Sequence, residues 1–146
     1  MGDQSDKQIL AQQVGGALVE IDQKLMALLG IELASIEPGL AVCTMAVRAD
    51  MVNSHGYCQG GLLFSLADHA FAYACMSGNQ AGVTLSASVI FSRPARTGDQ
   101  LRAEARVTND GGRTATCLVE VLNQDGELLA QFQGVNYRVN RPVLPH

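Results

Sequence analysis

The run from Gly61 to Met76, GLLFSLADHAFAYACM, places apolar side chains on nearly every face of a helix. A helix of that kind is enclosed by other structure, so the rest of the chain must wrap it. Only Ser65, Asp68 and His69 interrupt the run. An ionised carboxylate inside an enclosed helix costs several kcal/mol unless it is paired or hydrogen-bonded. Asp68 therefore needs either a structural partner or a chemical use.

The flanking segments predict what does the wrapping. Leu18, Ile21, Leu25, Leu28 and Leu29 recur at three- and four-residue steps within a helix over Val14 to Leu29, and Gly30 follows as its stop. The polar stretch Met1 to Gln12 reads as poorly ordered or lightly docked. Ile31 to Glu37 and Leu40 to Arg48 form a hairpin about Pro38-Gly39. Beyond the central helix, strands are expected over Gly82 to Ser92, Gln100 to Thr108, Arg113 to Asn123 and Glu127 to Asn140, parted by turn chemistry. The alternation of Leu101, Ala103, Ala105 and Val107 with Arg102, Glu104 and Arg106 marks a half-buried strand. The fold class is α+β, an antiparallel sheet around one long helix. A chain of 146 residues makes one domain, with residues 1–30 as an N-terminal helical extension and 60–77 as the central helix. An edge strand left open favours self-association, so an oligomer is expected.

Composition narrows the partners. The net charge is -4 and no basic block offers a phosphate track, which argues against nucleic acid. No stretch reads as a membrane span, because Asp68 and His69 interrupt the one long apolar run. Cys43, Cys58, Cys75 and Cys117 are widely spaced and no signal peptide is evident, so reduced thiols in a cytoplasm are expected. His55, Cys58 and Asp68 lack clustered ligand spacing, so neither a metal nor another cofactor is expected. No Gly-x-Ser-x-Gly elbow or phosphate-binding glycine loop occurs.

What chemistry remains lies at the two levels of the central helix. If Gly60-Gly61 opens it, free N-H groups and the positive end of the dipole can stabilise a carbonyl oxygen gaining charge, and two glycines admit a close approach. Asp68 lies roughly 10 to 12 Å further along the same helix at about 1.5 Å per residue. Both can act on one carbonyl only if a neighbouring subunit's helix runs antiparallel and supplies its own Asp68. Asn53, His55, Tyr57 and Gln59 precede the helix as polar groups suited to orienting a substrate or water. A bland reading stands beside this one: a tight glycine turn, and a buried acid satisfied by a hydroxyl, a backbone amide or His69.

Asn53, Gly60-Gly61, Phe64-Ser65-Leu66-Ala67-Asp68, Ala70-Phe71-Ala72, Arg93-Pro94-Ala95 and Gly98-Asp99 together resemble the hotdog-fold acyl-CoA thioesterases of the phenylacetate-degradation (PaaI) type. The likeness spans roughly Ile31 to Tyr137. It implies a hotdog sheet around the helix, assembly as a homodimer or a dimer of dimers, and hydrolysis of an acyl-CoA. It also implies Asp68 as nucleophile or general base, the Gly60 and Gly61 amides polarising the thioester oxygen, and Asn53 holding the water or the carboxylate. Gln59 stands where the family commonly has histidine, and can donate an amide hydrogen bond but no imidazolium. His55, Ser65 and Leu62 are further candidates to touch substrate, with Leu62, Leu63, Phe64, Phe71 and Tyr73 able to line an acyl pocket. Arg93, Arg96 and Arg113 are candidates for the phosphates of CoA. Two other readings are an acyl-CoA-binding protein without turnover, and a hydratase or dehydratase using Asp68 and His69.

Overall fold

The computed structural model describes residues 2–145. Helix α1 (Gly2–Ile21) and α2 (Gln23–Leu29) lead into β1 (Glu32–Glu37) and β2 (Leu40–Ala46). A short 3-10 turn at Ala49–Met51 precedes α3 (Gly60–Met76), after which come β3 (Gly82–Phe91), β4 (Gln100–Asp110), β5 (Thr114–Leu122) and β6 (Leu128–Arg138). All strand pairs are antiparallel, in the order β1-β2-β4-β5-β6-β3. The sheet curls round α3, whose Leu63, Leu66, Ala67, Ala70, Phe71 and Ala74 are buried in it. This is the enclosure that the apolar run requires.

How closely sheet and helix meet is set at Gly134 on β6. A Cβ there would come 2.9 Å from the Phe71 ring, and another 2.9 Å contact would fall on Phe132. Phe71 and Phe132 pack with ring centroids 5.4 Å apart, and Phe64 meets Phe132 edge-on at 5.2 Å. The period-two pattern of β4 holds: Leu101, Ala103 and Ala105 are buried while Arg102 and Arg106 face solvent. β4 runs on to Asp110 because a bulge between Val107 and Asn109 lets Asn109 and Asp110 pair with Thr116 and Ala115. Asp110 then accepts from the Gly112 N-H at 3.0 Å and pairs with Arg138, so the turn is tighter than its four-residue signal suggests.

The N-terminal region departs from expectation. The helix starts at Gly2, not Val14, and a break at Asp22 divides it. Its early turns expose polar groups and present no apolar stripe to read, although Lys7 and Asp3 form an i,i+4 ion pair at 3.0 Å. Full burial begins at Ala11, Val14, Gly15 and Leu18, where a Cβ on Gly15 would lie 2.9 Å from Ile36 of β1. The break serves a tertiary bond: the Tyr73 hydroxyl of α3 donates to Asp22 Oδ2 at 2.8 Å. Gly30 ends α2 in the left-handed conformation, φ 73°, as its sequence position predicts.

Substituting Gly134→Ala is expected to overpack this contact and lower stability by about 1–3 kcal/mol. Urea unfolding reads it as a lower midpoint at unchanged slope.

Candidate active site

Gly60 and Gly61 occupy the first turn of α3, with Gln59 at the N-cap. Their N-H groups meet no acceptor among the described residues, whereas the next one, Leu62, already bonds the Gln59 carbonyl at 2.9 Å. The helix therefore begins with two free donors at its positive end. Phe91 of β3 lies against Gly60, so close that a Cβ would come 3.0 Å from its ring, while Gly61 has open space. Beside them is a cleft of about 290 Å³ lined by Tyr57, Gly60, Leu63, Phe91, Arg93 and Pro94, among others.

Asp68 sits two turns on. Gly61, Ser65, Asp68, Ala72 and Met76 form a stripe that the sheet leaves partly open, and Asp68 is half-buried within it. Thr84 of β3 donates from Oγ1 to Asp68 Oδ1 at 3.2 Å. Burial pushes the Asp68 carboxyl above its ordinary value, opposed by the Thr84 hydrogen bond and by His69. Thr84 escapes the sequence reading because sixteen residues and a change from helix to strand separate it from Asp68. The only local sign is a hydroxyl on the strand that follows the helix.

The other predicted residues are not all brought together. Asn53 Oδ1 accepts from the His55 and Tyr57 N-H groups, at 2.9 and 3.3 Å, so its carbonyl end shapes the loop and its amide nitrogen end is what it can offer a ligand. His55 and Gln59 are exposed, and Leu62 is half-buried against the core. Ser65 donates back to the Gly61 carbonyl at 2.9 Å. Arg93 pairs with Glu127 at 3.2 Å, and Arg96 stacks over Tyr57 with 5.0 Å to the ring centroid, both at the cleft end. Arg113 lies at the opposite end, lining a polar hollow of about 690 Å³ with Arg138 and Arg141. Phe71 and Tyr73 are core residues, each fully buried.

His69 points elsewhere than Asp68. Its ring lies 4.5 Å from that of Tyr73, buried, and burial lowers its pKa. No group of three or more His, Cys, Asp or Glu among the described residues is arranged to hold a metal ion. No helix among them is long and apolar enough to cross a membrane.

The strand bearing Thr84 is an open edge. β3 pairs with β6 alone, and its outer side presents unpaired backbone together with Leu85 and Ile90, 63% and 67% exposed. The open stripe of α3 and this edge lie next to each other, joined by the Thr84 bond.

The family model described as the thioesterase superfamily matches residues 55–130, a span holding Gly60, Gly61, Asp68 and Thr84. Acyl-coenzyme A thioesterase PaaI of Escherichia coli is 43% identical over 133 residues, covering 91% of this chain and 94% of the relative. The chain belongs to the thioesterase superfamily. Acyl-coenzyme A thioesterase 13 of Homo sapiens is 31% identical over 104 residues, 69% of this chain and 74% of its own length. The solved structure of the Escherichia coli PaaI protein superposes with a TM-score of 0.90 at 41% identity, covering 92% of this chain and 97% of that one. A Streptococcus mutans protein solved with acetyl-CoA bound gives 0.74 at 26% identity, covering 77% and 90%. The sheet and its helix are thus a hotdog fold, and the expected PaaI-type resemblance holds along nearly the whole chain.

Ionised Asp68 is a load on the folded state, because burial raises its pKa. Below its ordinary value of 3.8 the group is protonated in both states and the load vanishes. As pH rises from there through the raised native value, the unfolded chain releases its proton first and stability falls. Asp68→Asn, which keeps an acceptor for Thr84, should melt higher than the native protein at neutral pH, and the gap should close below pH 3.8. Calorimetry across that range reads it. A variant that melts lower at neutral pH would mean the carboxylate has a compensating charge partner.

Proposed function

We propose that this chain is an acyl-CoA thioesterase of the cytoplasm, acting on an aromatic, phenylacetyl-type or medium-chain acyl-CoA at a site shared across a homodimer, itself able to pair into a tetramer. The observation that carries the reading is the separation of two complementary halves. Free donors open α3 at Gly60 and Gly61, and a desolvated carboxylate waits two turns later on a stripe facing an open sheet edge. Pairing β3 antiparallel with its copy about the strand's middle brings the Phe91 end of one chain beside the Gly82 end of the other. The Gly60 and Gly61 amides of one chain then face the carboxylate of its partner.

The chemistry follows from the parts. Asp68 as general base takes a proton from water, whose oxygen attacks the thioester carbon. The carbonyl electron pair moves to an oxygen received by the Gly60 and Gly61 N-H groups, and collapse expels the CoA thiolate, which takes up a proton. Attack by Asp68 itself gives a mixed anhydride that water then cleaves. Single turnover in labelled water separates the two, since only the anhydride route places label in the protein. Thr84 orients the carboxylate in either case. The same antiparallel pairing sets Arg93 and Arg96 of one chain near the Arg113 hollow of the other, which supports these as partners for the CoA phosphates. The desolvated Asp68 weighs against a binding protein without turnover, which gains nothing from it. The rotation of His69 onto Tyr73 weighs against a hydratase.

Thiol release from a panel of aromatic and straight-chain acyl-CoAs should fall by about 10² or more in Asp68→Asn, with both proteins folded. Binding without release by either protein would leave Asp68 a structural acid. A second experiment tests the shared site. Gly61→Pro removes one N-H in the first turn, where no intrahelical bond is lost, and either single variant alone should be nearly inactive. Co-expressed with Asp68→Asn, it should restore roughly a quarter of native activity, since half the dimers are mixed and each has one intact site. No recovery in verified mixed dimers would place both halves in one chain.

A further inference from the structure

Phe91 is a large apolar side chain in the cleft beside the Gly60 and Gly61 donors, and the reaction as derived above does not use it. It ends β3, with Cζ of its ring so near Gly60 that a Cβ there would come within 3.0 Å. Gly60 has no positive φ, so room for the ring, not backbone freedom, accounts for that glycine. The ring is nevertheless 50% exposed. Tyr57 supplies a second aromatic wall, and Arg96 stacks over its ring. The Cys58 N-H donates to the Ala95 carbonyl at 2.8 Å, which ties the loop before α3 to the loop after β3 and fixes the cleft between them. Cys58, Leu63 and Ala95 also line the cleft and are buried. Core lies directly behind them, so the cleft is a blind end. Arg93 on its wall is engaged with Glu127. A volume of about 290 Å³ is at the bottom of the range of about 300–1,000 Å³ typical of small-molecule sites, so the cleft suits one group of a substrate and not the whole of it.

We propose that Phe91 sets the acyl selectivity of this chain, closing the cleft into a pocket for an aryl group whose carbonyl rests on the Gly60 and Gly61 N-H groups. This inference rests on the thioesterase reading of those two donors. A flat ring one short linker away from its carbonyl fills a blind cleft between aromatic walls and gains offset or edge-on contact with them. A long straight chain finds no exit through the buried floor, and its carbonyl is lifted off the donors. Of the residues that the sequence suggested for an acyl pocket, Leu63 lines the cleft, whereas Phe71 and Tyr73 are core. Selectivity passes instead to the last residue of a strand.

The test compares phenylacetyl-CoA with decanoyl-CoA as substrates of the native protein, of Phe91→Ala and of Phe91→Leu. The leucine variant keeps an apolar contact on Gly60 and carries the test should the alanine variant not fold. Native protein should favour the phenylacetyl ester in kcat/KM. Each variant should move the ratio of the two esters toward decanoyl by about tenfold or more, the scale on which apolar pockets separate substrates. A native preference for decanoyl, or a ratio that stays at its native value in both variants, would overturn the proposal. Size-exclusion chromatography gives the reason in the second case: equal loss on both esters from an oligomer that has come apart would make Phe91 an interface residue. Native protein that releases thiol from no acyl-CoA would instead remove the thioesterase reading, and the proposal with it.

Discussion

Contact between the Phe71 ring and the bare Cα of Gly134 determines how near the sheet can come to the central helix. Everything at the site depends on that distance. Thr84 reaches Asp68 only because β3 is drawn in beside β6, and β6 is drawn in at Gly134. A sheet held further out would leave the carboxylate in water, with an ordinary pKa and no fixed direction. Packing in the core and the proton affinity of Asp68 are thus one problem, solved by a missing methyl group.

The electrostatic division of α3 follows from where the helix is covered. Its first turn is bare because the Asn53 loop spends its hydrogen bonds on itself, leaving the Gly60 and Gly61 donors unclaimed. Its middle is partly dry because the sheet covers it on most sides. One helix therefore carries two free donors and a desolvated carboxylate, kept apart by its own rigidity. A flexible loop carrying the same residues would let them neutralise each other.

The sequence showed the enclosed helix, since a run apolar all round admits few alternatives, and it showed Gly60, Gly61 and Asp68, whose order along that helix is local. The strands were legible where alternation was strict, as in β4, and their ends were not, because the Val107 bulge adds pairing that no periodicity announces. Thr84 was invisible because it matters through Asp68 on another element, and which strand residue faces the helix there is decided by the register of the whole sheet. Asp22 was hidden likewise, its break in the N-terminal helix being dictated by Tyr73 fifty-one residues away. Arg93, Arg96 and Arg113 looked alike in sequence, yet the fold sends the first two to one end of the site and the third to the other.

Strand order has a consequence for how the chain is born. β2 finds its inner neighbour only in β4, Leu40 against Arg106, and α3 is made between them. An isolated hairpin such as β1-β2 is marginally stable in water. During synthesis the most apolar helix in the molecule emerges before the strands that cover most of it exist. For that interval it is a sticky segment without a home, dependent on the speed of translation or on a chaperone's grip until β4, β5 and β6 arrive.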